Sequence, residues 1–294
     1  ITNTHTPETT EVTGTKTWDD NNNQDGIRPD SITVNLLANG QKVDSKEITS
    51  ADDWSYSFTG LPKNESGKAI KYEVSEETVE GYDVKIDGFN ITNTHTPETT
   101  EVTGTKTWDD NNNQDGIRPD SVTVNLLADG IPTGQTAEVN ADTDWKYEFT
   151  DLPVFEVGSV GKKVVYTVTE DAVDGYQRTT PADAFDITNT HTPETTEVTG
   201  TKTWDDNNNQ DGIRPDSITV NLLANGQKVD SKEITSADDW SYSFTGLPKN
   251  ESGKAIKYEV SEETVEGYDV KIDGFNITNT HTPETTEVTG TKTW

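Results

Sequence analysis

The chain contains no cysteine and no methionine. Without cysteine there is no disulfide to staple a fold and no thiolate to hold a metal. Without either sulfur side chain, the common oxidation chemistry finds nothing to attack, which suits life outside a cell. Basic residues are scarce: 23 Lys plus Arg stand against 54 Asp plus Glu, a formal net charge of −31 at pH 7. Such a surface repels nucleic acid and anionic lipid, so neither is an expected partner. The charge reads as solubility and self-repulsion along an extended rod, with recruitment of a cationic partner as the alternative. Long apolar runs are missing too, since nothing approaches the ~20 residues of a membrane span, and no signal peptide opens the sequence. Hydrophobic residues amount to only 29%. Yet Trp, Tyr and Phe recur in alternating patterns that disordered chains lack.

What is present is repetition, and it governs every later reading. Ile1 to Trp108 recurs unchanged as Ile187 to Trp294. A divergent copy lies between them, with Ile91-Thr92-Asn93 matching Ile1-Thr2-Asn3 and leading to Ile187-Thr188-Asn189. The order is A, B, A. The expected boundaries are 9–98, 99–194 and 195–284, with 1–8 ending a preceding repeat and 285–294 opening a following one. The chain reads as a piece of a longer array.

Within copy A, short β-patterned runs are broken by turn residues, the signature of an all-β sandwich of about seven strands. Val12 to Trp18 places Val12, Gly14, Lys16 and Trp18 on one face. Ser31 to Ala38 follows, then Asn39-Gly40, a type I′ hairpin signal, and the return run Lys42 to Ile48. Trp54 to Phe58 alternates aromatic and serine residues. Ile70 to Glu76, Tyr82 to Ile86 and Phe89 to Asn93 complete the set. No segment has helical periodicity. The six extra residues of copy B all fit between proposed strands, where loops tolerate insertion. The linker Thr-Pro-Glu-Thr-Thr-Glu at 96–101 and 192–197 is short and contains proline, so adjacent repeats are expected to sit close with limited freedom.

Three inward positions are polar. Lys16 extends the face of Val12, Glu76 ends the face of Tyr72 and Val74, and Asn93 ends that of Phe89 and Ile91. Copy B repeats them as Lys106, Glu170 and Asn189. Burying a lysine and a carboxylate costs several kcal/mol unless each is paired or neutralised. One reading places all three at strand ends, where they reach water or form a polar cap. The other is chemical. Desolvation lowers a lysine pKa towards a neutral amine nucleophile and raises a glutamate pKa towards a protonated acid. Beside an asparagine amide, that pair could expel ammonia and leave a Lys–Asn isopeptide bond, with proximity supplying the effective molarity.

The motif set Lys-x-Trp-Asp-Asp through Asn-Gln-Asp-Gly-x-Arg-Pro (Lys16 to Pro29), Val-Asn-Leu-Leu-Ala-Asn-Gly (34–40), Trp-x-Tyr-x-Phe-x-x-Leu-Pro (54–62), Tyr-x-Val-x-Glu (72–76), Gly-Tyr (81–82) and Ile-Thr-Asn (91–93) closely resembles the Cna B-type repeat. That family builds stalks of cell-wall-anchored adhesins and pilins of Gram-positive bacteria. The resemblance covers essentially the whole chain and implies a transthyretin-like, reverse-immunoglobulin (Ig-like) sandwich with an isopeptide bond between first and last strands. It implies Lys16, Glu76 and Asn93 as amine, acid and amide of the first repeat. Lys106, Glu170 and Asn189 fill those roles in the second, and Lys202, Glu262 and Asn279 in the third. Asn3 and Lys292 are read as halves of bonds whose partners lie outside the sequence. Glu77 and Asp171, next to the acids, alternate outward and are set aside.

The loop Asp19 to Gly26 invites a calcium reading through Asp19, Asp20 and Asp25. Counted from Asn21, however, the twelfth position is Ile32 rather than the glutamate an EF-hand needs. An acidic turn is the simpler account. His5, His95, His191 and His281 fall one per linker and read as solvated residues. Trp54, Tyr56 and Phe58 alternate into the core, which argues against a carbohydrate platform. No Ser/His/Asp set, phosphate loop or basic patch occurs, and no cofactor is expected. The expectation is a non-enzymatic extracellular stalk that performs one reaction on itself. It would contact neighbouring repeats of its own chain, and a host matrix protein through a head domain elsewhere. Two alternatives stand beside it: a module that binds a matrix protein directly, and an accessory array on a secreted hydrolase.

Overall fold

A computed structural model of the chain describes residues 1–181 and 184–294. Its regular structure is almost entirely β, as tandem domains with short 3-10 turns at Ser50–Asp52, Ala141–Thr143 and Ser236–Asp238. In copy A the strands are β1 (Thr9–Asp19), β2 (Ser31–Ala38), β3 (Gln41–Thr49), β4 (Ser55–Pro62), β5 (Asn64–Glu65), β6 (Lys68–Ala69), β7 (Tyr72–Glu76), β8 (Asp83–Asp87) and β9 (Asn90–Thr94). Copy B has β10 (Thr99–Asp109), β11 (Ser121–Ala128), β12 (Ile131–Asn140), β13 (Lys146–Pro153), β14 (Tyr166–Glu170), β15 (Gln177–Arg178) and β16 (Ile187–Thr190). The final copy repeats the first as β17 (Thr195–Asp205), β18 (Ser217–Ala224), β19 (Gln227–Thr235), β20 (Ser241–Pro248), β21 (Asn250–Glu251), β22 (Lys254–Ala255), β23 (Tyr258–Glu262), β24 (Asp269–Asp273) and β25 (Asn276–Thr280).

The described chain divides into two compact units. One holds Ile1–Thr105, Thr123–Asp171 and Pro181–Phe185, the other Lys106–Val122, Ala172–Thr180 and Asp186–Trp294. In the first unit, copy A forms a four-stranded sheet, β4-β1-β9-β8, and a three-stranded sheet, β3-β2-β7. Their inner faces meet in a core of Val12, Ile32, Val34, Leu36, Ile48, Tyr56, Phe58, Val74 and Ile91. Val34, Leu36, Ile48 and Ile91 are fully buried, each worth about 1.5–3 kcal/mol in apolar transfer. In the second unit the last copy has the same two strand orders, and Val198, Val220, Leu222 and Ile277 are among its core residues. Copy B carries the orders β13-β10-β16-β15 and β12-β11-β14.

Period-two alternation explains these faces. Along β2, Ile32, Val34 and Leu36 are buried while Ser31 and Thr33 are partly exposed. The β2–β3 turn takes left-handed backbone at both Asn39 (φ 52°) and Gly40 (φ 83°), as a type I′ hairpin requires. Several details depart from the sequence pattern. Trp54 is not in a strand; it has φ 53° and precedes β4, although its ring still packs on the core. The hairpin of β5 and β6 is absent from the sequence reading because two-residue strands show no alternation. The first strand opens at Thr9, and its equivalents at Thr99 and Thr195, so half of the expected linker is strand. One extra residue of copy B lies inside β12, ten residues long where β3 has nine, and Gly134 there takes φ 84°. That insertion is a local irregularity within a strand rather than a loop extension.

Candidate functional site

The first and last strands of copy A, β1 and β9, lie side by side and parallel, Lys16 opposite Ile91 and Trp18 opposite Asn93. Residues two apart share a face, so Lys16 and Asn93 are diagonal neighbours on the inner face of one sheet. Glu76 closes β7 in the facing sheet, opposite Val34, and reaches across the core. Lys16 Nζ lies 3.6 Å from Glu76 Oε1, and their side chains are 0% and 2% exposed. In the last copy Lys202 Nζ lies 3.2 Å from Glu262 Oε1, equally buried, and Trp204 pairs with Asn279. In copy B, Lys106 pairs with Ile187, Trp108 with Asn189, and Val124 with Glu170. Lys106 and Asn189 are buried there as well.

The electrostatics are those of ions deprived of water. Burial lowers the Lys16 pKa to about 8, even though Glu76 and Asp20 pull it upward, and burial lowers that of Lys202 to about 8 in the same way. Burial also raises the Glu76 pKa, opposed by the Asn93 amide and the Lys16 ammonium beside it. The neutral pair is the form that a dry core favours. Both amide atoms of Asn93, and both of Asn279, are buried without a hydrogen bond of ordinary geometry. An orphaned buried polar group costs about 1–3 kcal/mol, so this amide is held in a position that simple packing does not reward. The lysine also faces the indole: Lys16 Nζ stands 3.7 Å from the Trp18 ring centroid, and Lys202 Nζ 3.8 Å from that of Trp204. An indole face at that distance attracts the ammonium form of the lysine, opposing its loss of a proton. The strand-end polar cap considered from sequence is therefore not what forms; these groups lie inside the sandwich.

A supporting contact was not legible in the sequence. The Tyr56 hydroxyl donates to the Phe89 carbonyl, crossing β1 over Gly14. Burial, with the charge of Glu76, pushes the Tyr56 pKa up to about 12, so it stays a donor. A Cβ on Gly14 would overlap the Phe89 carbonyl oxygen and come within 2.6 Å of the Tyr56 hydroxyl. Gly14→Ala is accordingly expected to destabilise the first repeat by about 2–3 kcal/mol, as overpacking of a filled site does. A urea titration measures it; an unchanged midpoint would contradict the contact.

The remaining candidates fall elsewhere. Asn3 and Lys292 are exposed and outside any strand. Glu77 faces solvent, 3.5 Å from Lys42 Nζ. Asp171 accepts a surface hydrogen bond from Asn125. In the acidic turn read as a weak calcium candidate, Asp20 and Asp25 Oδ2 meet protein donors, while Asp25 Oδ1 has none. Asp20 accepts from Arg28 Nε at 2.9 Å and Tyr82 Oη at 2.8 Å, while Asp19 points outward. Among the described residues no three acidic or histidine side chains gather as a metal site. Three consecutive asparagines, Asn21 to Asn23, take left-handed backbone in this turn (φ 52–62°), which asparagine tolerates better than most residues. The linker histidines are not simply solvated. His95 Nδ1 bonds the Gly81 carbonyl and Nε2 bonds Asp25, both at 2.8 Å; only His5 is fully exposed.

The model of the Cna protein B-type domain matches residues 12–94, 102–190 and 198–280. A collagen adhesin of Staphylococcus aureus is 48% identical over the whole chain, which spans a quarter of that relative's length. The crystal structure of two B repeat units of the collagen binding protein of Staphylococcus aureus superposes with a TM-score of 0.59 at 47% identity, covering 94% of this chain and 74% of that one.

Proposed function

Because the chain belongs to the family of Cna protein B-type domains, with three of them in series, we propose that it serves as the stalk of an extracellular surface adhesin and that each repeat locks itself with one Lys–Asn isopeptide bond. The observation that carries the reading is the dry cluster of Lys16, Glu76 and Asn93, with its unsatisfied amide, and its recurrence at Lys202, Glu262 and Asn279. The repeats would extend from 9 to 98, 99 to 194 and 195 to 284.

The chemistry begins with proton transfer from the lysine ammonium to the glutamate, which burial favours in both partners. The neutral Nζ of Lys16 attacks Cγ of Asn93. Glu76 hands its proton to the departing amide nitrogen and recovers one from the attacking amine. The C–N bond to the side-chain amide breaks, the C–N bond to Lys16 forms, and one ammonia leaves; nothing is oxidised or reduced. Glu76 is left protonated, holding the proton first taken from the lysine ammonium, and returns to the carboxylate when the ammonia carries that proton away as ammonium. Lys106, Glu170 and Asn189 would act alike in the middle repeat. The reaction is a single turnover on the chain itself, so no substrate pocket is needed.

The product would tie β1 to β9, the strands through which the chain enters and leaves the repeat. A stalk needs that, because tension then bypasses the intervening residues. Collagen appears in the description of the longer relative; in this reading such a matrix ligand is engaged by a region outside these repeats. Intact-mass spectrometry tests the bond, with one ammonia expected to be missing per repeat.

A further inference from the structure

Where one repeat meets the next inside each compact unit, the acidic turn makes contact beside the linker, whose Glu98 and Glu194 carbonyls accept from the Val154 and Lys249 amides. In the first unit the Gln24 side-chain amide donates to the Phe155 carbonyl at 2.8 Å, and the Gly161 amide donates to the Gln24 carbonyl at 2.9 Å. A Cβ on Gly26 would come within 2.8 Å of Gly161 Cα, so glycine is required for the approach. In the second unit the Gly253 amide donates to the Gln114 carbonyl at 3.0 Å, and Gly116 faces Gly253 with no room for a Cβ. Both joints use the same parts: an Asn-Asn-Asn-Gln-Asp-Gly turn from one repeat and the hairpin loop between β4 and β7, or its equivalent, from the following one.

The turn is held to its own linker by one carboxylate. Asp25 Oδ2 accepts from His95 Nε2 and from the Glu98 amide, each at 2.8 Å. Asp115 does the same with His191 and Glu194, and Asp211 with His281 and Glu284. The other histidine nitrogen meets a backbone carbonyl in every case. A carbonyl and a carboxylate only accept, so both ring nitrogens donate and the histidine is the imidazolium. The carboxylate is 2% exposed at Asp25 and 5% at Asp115, where a repeat docks on the turn, but 22% at Asp211.

We propose that this turn is the docking element of each joint, seated on the hairpin loop of the following repeat, and that the linker histidine is the positioning residue that latches it. The two joints are chemically unequal. Asn250 Nδ2 donates to Asp115 Oδ1 at 3.1 Å, whereas Phe155 occupies the corresponding position in copy B and Asp25 Oδ1 is left buried without a partner. Asn250 thus holds the turn's carboxylate at the second joint, where the first has the Gln24 bond to the Phe155 carbonyl instead. This inference stands apart from the isopeptide bond.

The latch should respond to pH. The imidazolium of His191 is favoured first by Asp115, against burial, and then by the Gly175 carbonyl and Asp110. For His95, burial opposes the cation but Asp25, the Gly81 carbonyl and Asp20 outweigh it. The rings of Tyr82 and Tyr176 also pack on these histidines, and Lys249 of the third repeat sits on Glu194, its Nζ 2.6 Å from the carboxylate. A raised folded pKa means the contribution is complete below the free histidine value of about 6.5 and is lost as pH rises through the folded value. The joints should loosen on the alkaline side.

Absence of native cysteine permits clean double spin-labelling. Exposed Val43 and Ile131, changed to cysteine, report the first joint, and Gln177 with Val229 the second. Electron–electron distance distributions should broaden about twofold at the first joint in His95→Gln, and at the second in His191→Gln, as expected when a short linker is released. Phe155→Asn should narrow the first joint, and Asn250→Leu should widen the second. The parent should widen as pH rises from 6 to 9 on the scale set by free imidazole, and the histidine variants should not. Unchanged widths in both histidine variants would overturn the latch. Broadening at both joints from a single variant, or a fall in that variant's unfolding midpoint, would overturn its local action. A parent width flat with pH would overturn the imidazolium.

Discussion

Glu76→Ala is expected to leave the chain with one more ammonia than its parent retains, and to cost the first repeat about 4–5 kcal/mol of stability. The mass follows from the proposed reaction: the parent loses one ammonia in each of three repeats, and the variant lacks the acid for one of them. The stability follows from loop closure. A bond from Lys16 to Asn93 encloses roughly 80 residues, and removing such a constraint from the unfolded chain restores about 4–5 kcal/mol of entropy by the disulfide analogy. Losing the acid also strands a buried amine, so Glu76→Gln, which preserves volume, is the companion variant. It too should keep the ammonia. Glu77→Ala, on the outer face, should change nothing. A parent mass equal to that of the sequence would sink the proposal outright.

The second large effect is mechanical. Pulled from its ends, the parent should show no extension step from any of its three repeats, because the load path runs from β1 through the bond to β9. Lys16→Ala should add a single step of about 270 Å, the extended length of the residues released between positions 16 and 93. The corresponding change at Lys202 should add a second of the same size, since the two copies are identical in sequence. Single-molecule force spectroscopy reads both directly. Steps from the unmodified chain would show that the repeats are not tied. A step much shorter than the enclosed loop would place the bond elsewhere.

Much of this architecture could be read from alternation. Lys16, Glu76 and Asn93 fall on the apolar faces of their strands by counting in twos, and the structure buries those side chains. Counting could not say that β1 and β9 are parallel neighbours, because pairing across most of a repeat leaves no local trace. Nor could it separate a polar cap from a dry cluster, which depends on Glu76 arriving from the facing sheet. His95 was misread for the same reason: its partner Asp25 is distant in sequence, and a histidine two residues before a proline looks like solvated linker. Gly14 lay on the correct face, but only the Tyr56 hydroxyl above it explains why no side chain fits. Residues whose reason is a neighbour along the chain were legible; those whose reason is a neighbour in space were not.

The parallel register of β1 against β9 has a consequence of its own. The chain enters the first repeat at the beginning of β1 and leaves at the end of β9. Opposite pulls on two parallel strands slide them past each other, so their ladder of hydrogen bonds is loaded in shear, all rungs together, instead of being unzipped one at a time. A newly folded repeat, before any covalent chemistry, would thus already resist extension in its stiffest direction. The same sliding coordinate would carry Lys16 away from Asn93, so the ladder that bears the first load also keeps the reacting groups in register.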